Sequence, residues 1–351
     1  MGLFDNIQKT SNSLIQTPEA LEYEYLPKEL PFRENEQKYL ADCIKPLFQK
    51  RSGRNLLIHG APGIGKTAAT KFVLRELEEQ SEEVEPIYIN CWKHNTTYKV
   101  LLEMCNILGY KFTQNKKTFD LYDVVARIIN KKAAVFVFDE IDKADDLDFL
   151  YFVLEDIYNK SIFLITNYKS FIVNLDERIK SRLVPELFEF KKYNLKEILG
   201  ILKLRKDWAF YPNAWEQEAF DLVSQKTFAL MDIRSGLYLL KESALNTEEK
   251  SGNKITVANV NCAIKKLDDF TIKNSEELEA EAKTIYEIVR ENSGKKIGDL
   301  FTIYQRKGGA SSYKTFQRKI AKLEEGKFVH TTKQTGAGGN TTIVEKKLSD
   351  F

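Results

Sequence analysis

The sequence is poor in the residues that build extracellular frameworks and metal centres. Its 351 residues contain four cysteines and three histidines. Cys43, Cys91, Cys105 and Cys262 form no Cys-x-x-Cys pair, so they read as small core residues in a reducing compartment, not as bridges or ligands. His59, His94 and His330 are too dispersed for a zinc cluster, and His94, in CWKHNTT, reads as a loop residue. Long apolar runs are also missing: the longest, such as Ala133 to Phe138, reach about a third of the ~18 residues that a membrane-spanning helix needs. The opening MGLFDNIQKT has no basic start followed by a long apolar stretch, and Asn6 stands where a myristoylation signal takes Ser or Thr. These absences predict an intracellular protein.

What is present is a chain with 43% apolar residues, enough to bury more than one core, and a length that predicts two or three domains. Net charge is only +2, but it is unevenly placed. From Ser293 to Phe351 there are twelve Lys and Arg against five acids, a local charge of +7, which leaves −5 for the rest. The two ends therefore have different jobs.

The most specific stretch is HGAPGIGKTAAT, residues 59 to 70, between the apolar run Asn55 to Ile58 and Lys71 to Leu74. It reads as strand, glycine turn, helix. Gly60 to Thr67 fits G-x-x-x-x-G-K-[ST] at every fixed position. Glycines let successive amide N–H groups face inward, where with the N-terminus of the following helix they cradle phosphate oxygens. The expected cradle is Gly60, Gly63, Ile64, Gly65, Lys66, Thr67, Ala68 and Ala69. Lys66 would neutralise the β and γ phosphates of ATP or ADP, and Thr67 would offer its hydroxyl to Mg²⁺. The following helix is expected to place Ala69, Phe72, Val73 and Leu77 on one face.

A phosphate cradle needs a second element to hold magnesium and prepare water. VFVFDEID, residues 135 to 142, supplies a buried parallel strand ending in Asp139 and Glu140. Asp139 would hold Mg²⁺ through its water shell, and Glu140 would polarise the attacking water; the second carboxylate implies hydrolysis. A third strand, SIFLITN, ends in Asn167, whose amide would bond the γ phosphate and that water.

Glycine turn, apolar strand with Asp-Glu, apolar strand with Asn, then NLDERIKSRL, in that order, resembles the AAA+ ATPases. Within them the chain is most similar to the archaeal and eukaryotic replication initiators, the origin recognition complex and the related helicase-loading factor. YEYLPKELPFRENEQKYLADCI (23 to 44) looks like that family's N-terminal segment, where LPFRENE packs near the adenine; FKKYNLKEILGILKLRKDWAF (190 to 210) looks like its lid entry, and MDIRSGLYLLKESA (231 to 244) like its sensor helix. The resemblance implies that Arg234, on a helix with Leu237, Leu240 and Ala244 as an apolar stripe, reaches from lid to γ phosphate. It implies that Tyr193 and Arg205 touch the nucleotide. In NLDERIKSRL, Leu175, Ile179 and Leu183 recur every four residues as a buried face, while Arg178 and Arg182 share another. The family places an arginine hereabouts against the ATP of a neighbouring subunit, and Arg182 is the better candidate; a local salt bridge is the alternative. The family also uses a helical insertion in the ATPase domain against the minor groove; ERIKSRL and KSFIVN lie in its neighbourhood.

The basic end carries its own signal. Residues 277 to 290 read as a helix, KKIGDLFTIYQRKGGASS as a short helix and loop, and SYKTFQRKIAKLEEGKF as a second helix. At 100° per residue, Tyr313, Phe316, Ile320 and Leu323 cluster on one side of it and Lys314, Arg318 and Lys322 on the other. Ser311 or Ser312 would cap its start and Gly326 its end. Phe328 to Lys333 and Thr341 to Lys346, joined by QTGAGGN, predict a hairpin with a flexible tip. Helix, helix, basic helix, hairpin is the order of a winged helix, whose third helix enters the major groove of double-stranded DNA. Arg318 would read guanine edges, while Lys314, Lys319, Lys322 and Lys333 would meet phosphates.

The expectation is thus an α/β fold: an AAA+ P-loop core with a parallel sheet (1–190), a helical lid (191–272) and a C-terminal winged helix (273–351). The function expected is that of an ATP-dependent replication initiator, archaeal and nucleoid-associated, that binds origin DNA and recruits the replicative helicase, with other initiator subunits as further partners and slow hydrolysis as a switch. Two rivals stay open: another AAA+ loader or transposition helper, and a winged-helix regulator that holds ATP without cleaving it.

Overall fold

The structure, a computed structural model, describes residues 13–276, 280–309, 311–325, 328–336 and 339–346. MGLFDNIQKT and the cap residue Gly326 lie outside these. The described chain forms two compact units: Thr17–Ala209 with Thr227–Ile233, and the remainder, comprising residues 13–16, Phe210–Lys226 and the described residues from Arg234 onward.

The first unit begins with α1 (Glu34–Ile44), followed by β1 (Leu56–His59), α2 (Lys66–Gln80), β2 (Val84–Asn90), α3 (Thr97–Ile107) and α4 (Thr118–Ile129). Then come β3 (Ala133–Asp139), α5 (Asp148–Asp156), β4 (Lys160–Ile165), α6 (Glu177–Leu183), β5 (Glu186–Glu189) and α7 (Leu195–Ala209). The five strands form one sheet in the order β2-β3-β4-β1-β5, and every pairing is parallel. Parallel strands covered on both faces must be apolar throughout. β3 meets this requirement: all seven of its residues are buried, and so are all four of β1. The core packs Phe136 and Phe138 of β3, with Ile162 and Leu164 of β4, against Val100, Met104, Leu121, Val125 and Phe149 of the helices.

Leu175, Ile179 and Leu183 are buried, as their spacing predicts. The face of α2 differs from the sequence expectation. Ala69, Val73 and Leu77 are buried, but Phe72 is only half-buried, and Thr70 and Leu74 complete the face instead. Phe72 sits about 60° before Ala69 on the helical wheel, outside the arc that Ala69 to Leu77 defines, and its ring lies beneath the Arg75 guanidinium.

The second unit contains most of α8 (Gln217–Leu230) and α9 (Ile233–Glu249), then α10 (Val257–Glu276) and α11 (Ala280–Glu291). β6 (Lys295–Lys296), α12 (Ile297–Arg306), α13 (Tyr313–Glu325), β7 (Val329–Gly336) and β8 (Gly339–Lys346) complete it. Leu237, Leu240 and Ala244 of α9 are buried together. The expected boundary between residues 272 and 273 falls inside α10. The last three strands pair antiparallel in the order β6-β8-β7. The hairpin is longer than its sequence suggests, because pairing continues from Lys333↔Thr342 to Gly336↔Gly339, into the segment read as a loop. Polar Thr, Gln and Asn residues there lack the apolar alternation that would have betrayed a strand, while their backbones still supply the ladder.

Phe316, Ile320 and Leu323 of α13 are buried with Ile285, Ile288, Leu300, Tyr304, Val329 and Val344. Tyr313, expected on the same stripe, is 40% exposed. It begins the helix, and its ring makes an edge contact with Phe301 at 5.0 Å between ring centroids. Phe316→Ala is therefore expected to cost about 3–5 kcal/mol and Tyr313→Ala less than about 1 kcal/mol. Native-state hydrogen exchange of α11 to α13 in the full chain measures both, and equal losses would refute the assignment.

Candidate active site at the carboxyl edge of the sheet

β4 lies between β1 and β3, so whatever follows these three strands meets at one edge. After β1 comes the glycine turn. Gly63 (φ 70°) and Gly65 (φ 86°) adopt left-handed conformations that L side chains avoid. Space also excludes a side chain, since a Cβ on Gly63 would lie 1.9 Å from Asp232 Oδ1 and one on Gly65 2.7 Å from the Tyr193 hydroxyl. Gly65 caps α2, whose first residues are Lys66 and Thr67. Ile64 and Ala69 are buried, Ala68 is half-buried, and Gly60 opens the turn at the end of β1.

Lys66 is buried, at 7% exposure. It donates to the carbonyls of Gly60 at 2.9 Å and Ala61 at 2.8 Å, and to Asn167 Oδ1 at 2.7 Å. A buried cation must be matched by oriented oxygens. Asn167, two residues beyond β4, provides one because the amide of Thr166 is fixed to the Ile58 carbonyl at 3.0 Å.

Asp139 closes β3 and is 2% exposed. Its Oδ2 accepts from Thr67 Oγ1 and from the Tyr88 hydroxyl, each at 2.7 Å, and its Oδ1 accepts from the Glu140 amide at 2.9 Å. Burial first, and the Asp139 charge second, push the Tyr88 phenol far above its ordinary value, so it stays a donor. Glu140 leaves the strand in a left-handed conformation (φ 53°), with Asn90 Nδ2 3.5 Å from its carboxylate. The neighbouring Cys91 thiol is pushed up to about 12, first by burial and then by Asp139, and therefore remains an inert core thiol. A hydroxyl beside a carboxylate, with an ammonium, a helix N-terminus and a second carboxylate nearby, is a hard-oxygen and anion-binding set that fits a magnesium–polyphosphate group.

Tyr88 and Asn90 are functional neighbours that the motif reading missed. β2 pairs Asn90 with Asp139, and period two puts Tyr88 on the same face, so the signal lay in VEPIYIN once that strand was placed beside β3. Arg33, inside LPFRENE, was missed as well. It is 4% exposed and bonds to the Ile64 carbonyl. LPFRENE was marked by resemblance as a whole; within it, an arginine at the residue before α1, where Ser, Thr, Asp or Asn is usual, is what sets Arg33 apart.

The other expected site residues have the following neighbours. Tyr193 is buried against Gly65 and Arg33, and burial raises its phenol. The buried Arg205 guanidinium donates to the carbonyls of Ala20 and Tyr25, both at 3.0 Å, and lies over the Tyr25 ring. Arg182 pairs with Glu155 and lies over Tyr151, as does Arg178. Arg234 occupies the first turn of α9, directly after Ile233, whose amide points to the Gly63 carbonyl at 3.4 Å. KSFIVN forms a six-residue 3-10 helix, Lys169–Asn174.

At the C-terminal end Lys314, Arg318 and Lys322 are exposed on α13, opposite the buried Phe316, Ile320 and Leu323, and Lys319 is half-buried. Ser312 caps the helix, its Oγ accepting from the Thr315 amide at 3.3 Å. Lys333 lies on β7. The order α11, β6, α12, α13, β7, β8 matches the succession of helices and hairpin expected there.

Comparison with known proteins agrees with this architecture. Residues 49–167 match a family model described as an AAA domain. The ORC1-type DNA replication protein 1 of Archaeoglobus fulgidus is 30% identical over 344 residues, covering 92% of this chain and 84% of the relative. The ORC1-type DNA replication protein 1 of Sulfurisphaera tokodaii is 32% identical over 292 residues, covering 79% and 69% respectively. Among solved structures, the Aeropyrum pernix ORC1 protein in complex with DNA superposes with a TM-score of 0.68 at 23% identity, over 96% of this chain and 95% of that one. The ADP form of the A. pernix ORC2 protein gives 0.71 at 16% identity, over 94% of each chain. Fold and sheet-edge motifs together define an AAA+ ATPase. The chain belongs to the ORC1-type DNA replication proteins, the AAA+ replication initiators.

Removing the buried cation tests the site directly. Lys66→Ala deletes charge-assisted bonds worth roughly 1.5–3 kcal/mol, so the dissociation constant for ATP is expected to rise about 10- to 100-fold. Fluorescent-nucleotide titration measures it; an unchanged affinity would contradict the assignment.

Proposed function

We propose that the chain is a nucleotide-controlled replication initiator that binds origin DNA through its basic C-terminal module and recruits the replicative helicase. The observation that carries the nucleotide half is the convergence of Lys66, Thr67, Asp139 and Asn167 at one sheet edge. Bound Mg²⁺ and ATP would supply the charge neutralisation and the transferable γ-phosphoryl group. Gly60, Gly63, Ile64, Gly65, Ala68 and Ala69 shape the cradle, Lys66 draws off phosphate charge, and Thr67 and Asp139 hold the metal. Glu140 takes the proton of the attacking water while Asn167 orients it. Tyr193, beside Gly65, and Arg205, whose guanidinium also bonds to the carbonyls of Ala20 and Tyr25, contact the nucleotide in this reading. Arg234 reports the γ phosphate to the lid. Arg182 would have to leave Glu155 to serve a neighbouring subunit.

The relatives' names and the A. pernix complex with DNA support the DNA half of the reading. So does the α13 surface, which sets Lys314, Arg318 and Lys322 against a fully apolar underside. Arg318 is assigned to base edges; Lys314, Lys319, Lys322 and Lys333 to phosphates. The chain works in three parts in this reading, a core to residue 190, a lid to 272 and a winged helix beyond, with slow hydrolysis acting as a timer.

Glu140→Gln is expected to lower steady-state ATP hydrolysis by roughly 100-fold or more while leaving nucleotide binding intact. A wild-type protein as inert as the variant would favour a regulator that only holds ATP. If about five phosphates are neutralised, the logarithm of DNA affinity should fall against the logarithm of salt with a slope of about −4.5, and Lys322→Ala should flatten it by ~0.9. A slope near zero in fluorescence-anisotropy titrations would remove the DNA assignment.

A further inference from the structure

The glycine turn is held from outside by a residue that belongs to neither sequence motif of the site. Arg33 stands just before α1, and its guanidinium grips one carbonyl oxygen with two donors. Nε lies 3.2 Å and Nη2 2.8 Å from the oxygen of Ile64. Nη2 also donates to the Lys191 carbonyl at 2.7 Å, Nε to the Tyr193 hydroxyl at 2.9 Å, and Nη1 to Glu36 at 2.6 Å. The group stacks 3.9 Å from the Tyr193 ring centroid and 5.3 Å from that of Phe190.

The carbonyl of Ile64 and the amide of Gly65 belong to one planar trans peptide, so they point in opposite directions. Fixing the carbonyl toward Arg33 fixes the Gly65 N–H away from it. Gly65 is the residue least able to do this alone: it has no side chain, adopts φ 86°, and glycine readily occupies either sign of φ. Rotating this peptide would break both hydrogen bonds from the buried guanidinium and so leave the Ile64 oxygen without that partner. The same guanidinium binds Lys191 and Tyr193, on the segment leading from β5 to α7, so one side chain ties two stretches distant in sequence, the start of α1 and that segment, to the glycine turn.

We infer that Arg33 is a positioning residue that locks the Ile64–Gly65 peptide so that the Gly65 amide is presented to the phosphate groups of the nucleotide. The inference rests on the proposed nucleotide site and adds a determinant to it. It differs from a role against the base, because the gripped atom belongs to the phosphate turn. Binding of a base-free ligand therefore separates the two.

The test measures dissociation constants of Mg·ADP, and of inorganic pyrophosphate by displacement of a fluorescent ADP, for the full-length wild type, Arg33→Met and Arg33→Lys. Measurements are made at a temperature where circular dichroism shows each folded. Arg33→Met is expected to weaken both ligands by the same factor of about ten or more. Arg33→Lys keeps the charge but lacks the fork and should fall between; if Arg33→Met does not fold, Arg33→Lys carries the measurement by the same criteria. A purely structural role would lower the melting temperature and leave the dissociation constants of the folded variants within about twofold of wild type, which would overturn the inference. So would a loss of ADP affinity without a matching loss for pyrophosphate. Lys66→Ala is the control: if it binds both ligands like wild type, the nucleotide site itself is wrong, whereas a defect in Lys66→Ala but not at Arg33 defeats only the present inference.

Discussion

A single buried ammonium organises the first unit. Lys66 is 7% exposed, and two loop carbonyls and the Asn167 amide oxygen accept from its ammonium. Those oxygens come from the turn after β1 and from the end of β4. The sheet order must therefore set β4 beside β1, and the apolar filling of β3 and β4 must hold their ends in register. Polar geometry at the edge is thus a consequence of apolar packing in the middle.

The same dependence extends outward. Asp139, the last residue of the wholly buried β3, accepts from Thr67. Tyr88 and the Glu140 amide donate to the same carboxylate. Glu140 donates its amide to Asp139 while its left-handed backbone turns it out of the strand direction. Two adjacent carboxylates thereby acquire different environments, one bound into the framework and one at its margin. That division suits a metal holder and a base.

Much of this was legible in the sequence because it is local. A phosphate turn needs glycines at fixed spacing, and buried parallel strands announce themselves as apolar runs, so Gly60 to Thr67, Asp139, Glu140 and Asn167 were found by reading along the chain. Arg33, Tyr88 and Asn90 were not, since each acquires its role only from neighbours that the fold brings from elsewhere: Ile64 is 31 positions from Arg33. The errors have a related origin. Phe72 and Tyr313 match an apolar pattern, but the first falls outside the buried arc and the second, at the start of its helix, stays exposed. The hairpin extends through polar residues because backbone pairing does not require apolar side chains.

The central claim is that this edge binds a magnesium–nucleotide complex. Isothermal titration of ATP into the wild-type protein, with Mg²⁺ and then with a chelator, tests it most directly. The account predicts saturable binding of one nucleotide per chain that weakens when magnesium is withdrawn. Absence of binding, or affinity indifferent to the metal, would contradict it.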